Sequence, residues 1–331
     1  MANPKTIIVT IKDMISDPDL TSLKKVSDVT YVERESVSQD ELSKMVKGYD
    51  YLMLNYDVVK KLDGTFYSNT NAKNLKGISV DMTGMEWANP AVAKENKITL
   101  MNVPDYCTES VSESIILEVL LHSRKIHEAY LDVIKGSDPK DRKGINLKGR
   151  TAGVVGLGAI GSRTAELLNG LGMNVIAWNR TPKQLPGVKL ISSIKELFSL
   201  SDVVCLCLKL VESGPSPTFK IIGADILKSS KAGLILVNLG SKDLVDHDAI
   251  YDPIKAGKIV GYSVTRGSST KSLKIEEFDC VHMPPANAWF SDESLAELRR
   301  KWAGNIVAAI KGKPENIFDG ETGTKIVRIK P

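Results

Sequence analysis

Six residues constrain what this chain can fold into more than any others: Gly156-Leu157-Gly158-Ala159-Ile160-Gly161. A G-x-G-x-x-G run alone is a weak signal, since many strand–helix turns use glycine. Its context here is informative. An apolar run at 152–155 precedes it, a helical pattern at 162–171 follows, and a second strand-like run, 174–178, ends at Trp178. In that order the N–H groups of the turn and the helix N-terminus converge on a pyrophosphate. Gly156 permits the tight turn, Gly158 lets backbone approach the phosphates, and Gly161 lets the helix pack on the strand. The motif predicts a parallel α/β unit that binds a dinucleotide.

The end of the second strand selects the nucleotide, because a carboxylate there accepts hydrogen bonds from the adenosine ribose. This chain has Trp178-Asn179-Arg180-Thr181-Pro182-Lys183 at that point, without a carboxylate. Arg180 and Lys183 would attract a 2′-phosphate, and Asn179 and Thr181 could hydrogen-bond it. The reading is NADP(H) in preference to NAD(H), with NAD(H) still open. A solvated basic turn would look the same in sequence.

At roughly 150 residues per domain, 331 residues suggests about two domains. Strand-like runs at 7–11, 29–32, 51–54 and 98–101 alternate with helix starts at Ser38 and Pro90, which implies a parallel sheet with helices on its faces. One long helix is expected over 108–131, then a polar linker at 135–148. Further strands are expected at 203–208, 234–237, 259–264 and 280–283, with a helix from Ser291. Lys plus Arg exceed Asp plus Glu by only 44 − 40 = +4, spread along the chain, which argues against a nucleic-acid binder. No apolar run reaches the roughly 18 residues of a membrane span. The N-terminus reads as a strand rather than a leader, and four cysteines make no disulfide framework. The expected compartment is the cytosol. Cys205 and Cys207 alternate on one strand, with no second ligand pair at metal spacing, so no metal is expected.

Several segments together resemble the D-2-hydroxyacid dehydrogenase family over nearly the whole chain. Asn102-Val103-Pro104 with Val111-Ser112-Glu113-Ser114 is similar to its N-V-P segment and V-A-E-H helix start. Val237-Asn238 through Leu244-Val245-Asp246 and Ala249 resembles its V-N-x-x-R-G-x-L-V-D-x-x-A-L stretch, and 257–261 the lead-in to L-D-V-x-x-x-E-P. The resemblance implies two doubly wound parallel-sheet domains. A Rossmann domain (106–292) is inserted into a flavodoxin-like substrate domain (1–105 and 293–331), with 108–131 as the dimerisation helix of a homodimer. It also implies that Leu208, Leu239, Gly240, Ser241 and Thr265 lie beside the nucleotide. Backbone of Thr83, Gly84 and Met85 would hold a substrate carboxylate, and Tyr106 and Trp289 would border the cleft.

In that family an arginine holds the substrate carboxylate, a histidine moves the hydroxyl proton and a glutamate tunes the histidine. This chain departs at each position: the arginine falls on Ser241, the glutamate at about Ser268 and the histidine on Ala286, while Thr265 stands for an aspartate near the nicotinamide. Lys242, one residue on, could bind an anion, and His282 could carry a proton; a solvated lysine and a packed imidazole are the plainer readings. Two function classes follow. One is an NAD(P)-dependent oxidoreductase with a rebuilt site acting on a small carbonyl or hydroxy compound. The other is a protein that keeps the nucleotide without the dehydrogenase chemistry.

Overall fold

Strand β1 (Lys5–Thr10) is buried at five of its six positions, as a parallel strand covered by helices on both faces requires. The computed structural model describes residues 3–59, 61–212, 215–266, 273–320 and 324–325. They divide into two compact units, Met1–Tyr106 with Ser291–Pro331, and Cys107–Phe290; the sequence placed these junctions after residues 105 and 292.

In the first unit, β1 is followed by α1 (Asp17–Lys24), β2 (Asp28–Glu33), α2 (Gln39–Met45), β3 (Tyr51–Leu54), α3 (Gly64–Tyr67), β4 (Gly77–Val80), α4 (Pro90–Glu95) and β5 (Thr99–Met101). A capping box between Ser38 and Glu41 starts α2. The five strands are parallel in the order β2-β1-β3-β4-β5, the flavodoxin-like doubly wound order.

The second unit opens with α5 (Thr108–Ser123) and α6 (Ile126–Ile134), then β6 (Thr151–Val155), α7 (Ala159–Gly170), β7 (Asn174–Trp178), β8 (Val188–Leu190), α8 (Ile194–Leu200) and β9 (Val203–Leu206). It continues through α9 (Ala224–Ser229), β10 (Leu234–Asn238), α10 (His247–Lys255), β11 (Ile259–Val264) and β12 (Val281–His282). All seven strands are parallel, ordered β8-β7-β6-β9-β10-β11-β12. That is the dinucleotide-binding order with a seventh strand appended. Fold class therefore matches the expectation.

The single helix expected over 108–131 is two. Lys125 adopts a left-handed conformation (φ 52°), and the Ser123 carbonyl accepts from Ile145 N at 2.7 Å instead of from the next turn of helix. Gly144 makes this docking possible: a Cβ there would lie 2.7 Å from the Ser123 oxygen. The break thus comes from a segment some twenty residues downstream. No described helix is long and apolar enough to cross a membrane.

The chain returns to the first unit through α11 (Asp292–Ile310), capped by Ser291, and adds the antiparallel pieces β13 (Ile317–Phe318) beside β5 and β14 (Thr324–Lys325). Trp302 is fully buried on β4, where its Nε1 donates to the Ser79 carbonyl at 2.9 Å. Ser79 Oγ donates back to the Trp302 carbonyl at 3.0 Å, and Asn305 Nδ2 donates to the Asn102 carbonyl at 2.8 Å. Apolar burial and saturated buried polar groups act together here. Trp302→Ala is expected to cost about 3–5 kcal/mol, read as a lower urea midpoint; a loss under ~1 kcal/mol would refute this docking role.

Candidate functional site

The glycine loop runs between the end of β6 and α7. Gly156 has φ 98°, a conformation side chains resist, and a Cβ there would sit 2.7 Å from the Cys207 carbonyl oxygen. A Cβ at Gly161 would come within 1.9 Å of the Gly156 oxygen, so α7 packs on its own turn only if residue 161 has no side chain. Gly158 differs. It caps α7 in an extended conformation, and nothing lies within 4 Å of where its Cβ would be. Two glycines thus serve packing, and the third leaves open space at a helix N-terminus, the cradle a pyrophosphate needs. Leu157 points into the core, while Ala159 is exposed and Ile160 half-buried.

Beside the loop lies the selector segment. Asn179 Oδ1 accepts from Leu157 N at 2.8 Å, and its Nδ2 donates to the Thr181 carbonyl at 2.6 Å. Lys183 Nζ reaches back to the Leu157 carbonyl at 3.1 Å. Arg180 and Thr181 are exposed. Around the ends of β9 to β11, Leu208, Leu239 and Thr265 are half-buried and Gly240 exposed. Sequence reasoning gave no site role to Asn238, which organises this rim. Its Oδ1 accepts from Gly240 N at 3.2 Å, its Nδ2 donates to the Ser241 carbonyl at 2.9 Å, and its carbonyl accepts from Thr265 N at 3.3 Å. The available signal was one polar residue closing the apolar run Leu234–Asn238.

The replacement candidates are engaged locally. Ser241 Oγ accepts from Asp243 N at 3.3 Å and caps a short turn, and Lys242 Nζ pairs with Asp243 Oδ1 at 2.9 Å. Ala286 is exposed and offers a methyl group, whereas Ser268 lies outside the described residues. Trp289, half-buried, meets Phe290 edge-on at 5.2 Å. In the first unit, Thr83 Oγ1 donates to the Val103 carbonyl at 3.0 Å, and the Thr83 and Gly84 carbonyls accept from Asn102 Nδ2 and Trp87 Nε1. Met85 is turned into the core, so its backbone alone can serve a ligand, and Tyr106 is half-buried. Beneath this loop Asp81 accepts from Tyr56 N at 2.8 Å and from Asn55 Nδ2, and burial pushes it up to about 6. Burial likewise raises the thiols of Cys205 and Cys207, and no described cluster of His, Cys, Asp or Glu suits a metal.

Residues 116–265 match the family model described as "D-isomer specific 2-hydroxyacid dehydrogenase, NAD binding domain". The chain is 28% identical over 334 residues to D-3-phosphoglycerate dehydrogenase of Methanocaldococcus jannaschii, covering 96% of this chain and 60% of that protein. It is 27% identical over 308 residues to glycerate dehydrogenase of Methylorubrum extorquens, covering 87% and 92%. Residues 116–265 thus carry the NAD-binding domain of the D-isomer specific 2-hydroxyacid dehydrogenase family, and both relatives matched along most of the chain are dehydrogenases. The chain spans under two thirds of the first relative's length and nearly all of the second's. A solved acyclic imino acid reductase in complex with NADPH and D-Arg shares the fold, with a TM-score of 0.81 at 22% identity over 94% of this chain and 99% of that one.

His282, expected as a proton carrier, lies half-buried where β12 meets α5. Its Nδ1 lies 2.8 Å from Glu118 Oε2, which also accepts from Ser263 Oγ at 2.5 Å. Burial pushes Glu118 up, but these hydrogen bonds outweigh it and hold the carboxyl below its usual range. His122 Nε2 meets Ser263 Oγ at 2.8 Å, its side chain fills the space a Cβ at Gly261 would need, and the His127 ring lies 4.7 Å from the His282 ring, tilted by 51°. Burial lowers His122 to about 4 and also lowers His127. The unfolded chain therefore takes up protons that the folded chain refuses. This contribution to stability is complete above about pH 6.5 and falls as the pH drops toward 4. A loss of roughly 2 kcal/mol by pH 5 is expected from His122, and His122→Asn should flatten the slope of denaturation midpoint against pH. An unchanged slope would contradict the assignment.

Proposed function

We propose that this chain is an NADP(H)-dependent oxidoreductase acting on a small carbonyl or hydroxy compound. The observation that carries the reading is the open cradle at Gly158 beside the Lys183 ammonium, at a strand end without a carboxylate. Bound nicotinamide nucleotide supplies or receives the hydride. The loop Gly156 to Gly161 would hold the pyrophosphate, and Arg180, Thr181 and Lys183 the 2′-phosphate. Leu208, Leu239, Gly240, Ser241 and Thr265 would border the nicotinamide side. The NADPH bound to the imino acid reductase of the same fold accords with this preference.

Ser241 and Ala286 offer neither a guanidinium fork nor an imidazole, so substrate recognition is not tied to the usual carboxylate clamp. Lys242 is the cation at hand in the second unit for an anionic substrate group, and in the first unit the backbone of Thr83 to Met85 offers donors for a carboxylate. His282, paired with Glu118 through Nδ1, is the imidazole at hand for the proton. The side chains of Ser241 and Ala286 favour a second reading, nucleotide binding without hydride chemistry. The test follows nicotinamide absorbance with glyoxylate, pyruvate, hydroxypyruvate and bulkier 2-oxo acids. Turnover of at least one, with NADPH preferred roughly tenfold or more over NADH, is the expected result. Tight binding without turnover selects the second reading, and failure to bind either nucleotide overturns both.

The chain also forms a C₂ homodimer in this reading. Leu117 on α5 and Ile126, Tyr130, Val133 and Ile134 on α6 are exposed, an apolar patch that a twin surface would cover. Tyr130→Glu is expected to convert a dimer to a monomer in sedimentation at micromolar concentration; a wild-type monomer would refute the assembly.

A further inference from the structure

We propose that Ser162 is the positioning residue that turns Lys183 into a reader of the nucleotide 2′-phosphate. The inference rests on the NADP(H) reading above. It moves part of the selectivity from the basic turn into the first turn of α7, where no selecting residue was expected.

The geometry is a closed triangle. Ser162 Oγ donates to the Leu157 carbonyl at 3.1 Å, and Lys183 Nζ donates both to Ser162 Oγ at 2.8 Å and to the same carbonyl at 3.1 Å. A serine hydroxyl has one hydrogen. With that hydrogen given to Leu157, the oxygen turns lone pairs toward the ammonium and becomes an acceptor of fixed direction. An ammonium carries three N–H groups. Two are directed down onto the loop, which leaves the third pointing away from it. Lys183 would otherwise sweep a wide volume on its four-carbon stem. Held this way, its charge stands beside the phosphate cradle before any ligand arrives, so less side-chain entropy is lost on binding.

The other backbone polar group of Leu157, its N–H, is closed by Asn179. Its Oδ1 takes the Leu157 N–H and its amide nitrogen is given to the Thr181 carbonyl. Both ends of that side chain are occupied within the protein, at the place where a ribose-binding carboxylate would stand. A ribose 2′-hydroxyl therefore gains little here, while a 2′-phosphate gains a prepositioned cation. The lysine also stands near the positive end of the α7 dipole, a like-charge arrangement that an incoming phosphate relieves. Ser162 is not a catalytic residue, because it acts through Lys183.

The test is calorimetric titration of the full chain with adenosine 2′,5′-bisphosphate and with 5′-AMP. Neither ligand carries a nicotinamide, so the readout is independent of turnover. Ser162→Ala is expected to weaken the bisphosphate roughly tenfold, the loss of one hydrogen bond to a charged group, and to leave 5′-AMP unchanged. Ser162→Thr, which keeps the hydroxyl, should restore the preference. Lys183→Ala should lose at least as much, and the double variant no more than Lys183→Ala, since the serine works only through the lysine. Equal weakening of both ligands by Ser162→Ala would make Ser162 a loop-structure residue and overturn the proposal, as would an unchanged preference. A wild-type protein that does not distinguish the two ligands would instead sink the NADP(H) reading itself.

Discussion

The contact on which the nucleotide site depends is the approach of residue 161 to the carbonyl of Gly156. A Cβ would leave 1.9 Å between the two, so a side chain there would force the backbone to move. Because glycine stands there, α7 begins directly above its own turn, and its N-terminal N–H groups face the open space at Gly158. The same close approach brings Leu157 within reach of Asn179, Lys183 and Ser162. A packing constraint of one missing methyl therefore sets both the phosphate cradle and the polar fence around it.

Away from the loop, each unit is held by polar groups buried in pairs rather than by apolar area alone. Ser79, Trp302 and Asn305 tie the returning helix to β4 across more than two hundred residues of chain. Glu118, Ser263 and His282 do the same between α5 and the last two strands of the nucleotide unit. Such groups are costly when unpaired, so each network selects one seating of helix on sheet. In the second network the group so held is Nδ1 of His282.

The candidate site was legible in sequence where its geometry is local. The roles of Gly156, Gly158 and Gly161 follow from backbone conformation and Cβ space, which a six-residue motif specifies. The lack of a carboxylate after Trp178 could be read in the same way, since it lies at a fixed offset from the strand end. What was not legible depends on contacts distant in sequence. The break at Arg124-Lys125 arises because Ile145 takes the Ser123 carbonyl, and periodicity within 108–131 carries no trace of that. Strand β4 was passed over because its four residues include Gly77 and Ser79, and its polar position is explained only by the helix that returns to it.

By itself, then, the sequence determined that a parallel α/β chain with a dinucleotide loop is present, with no carboxylate in the five residues after Trp178. These are properties of residue identity and short-range spacing. Only the tertiary structure decided that Asn179 closes the Leu157 N–H, that Ser162 and Lys183 share its carbonyl, and that Glu118 holds His282. Each of those requires two segments to meet, and which donor finds which acceptor is settled by how helices seat on the sheet. Chain order alone does not contain that choice.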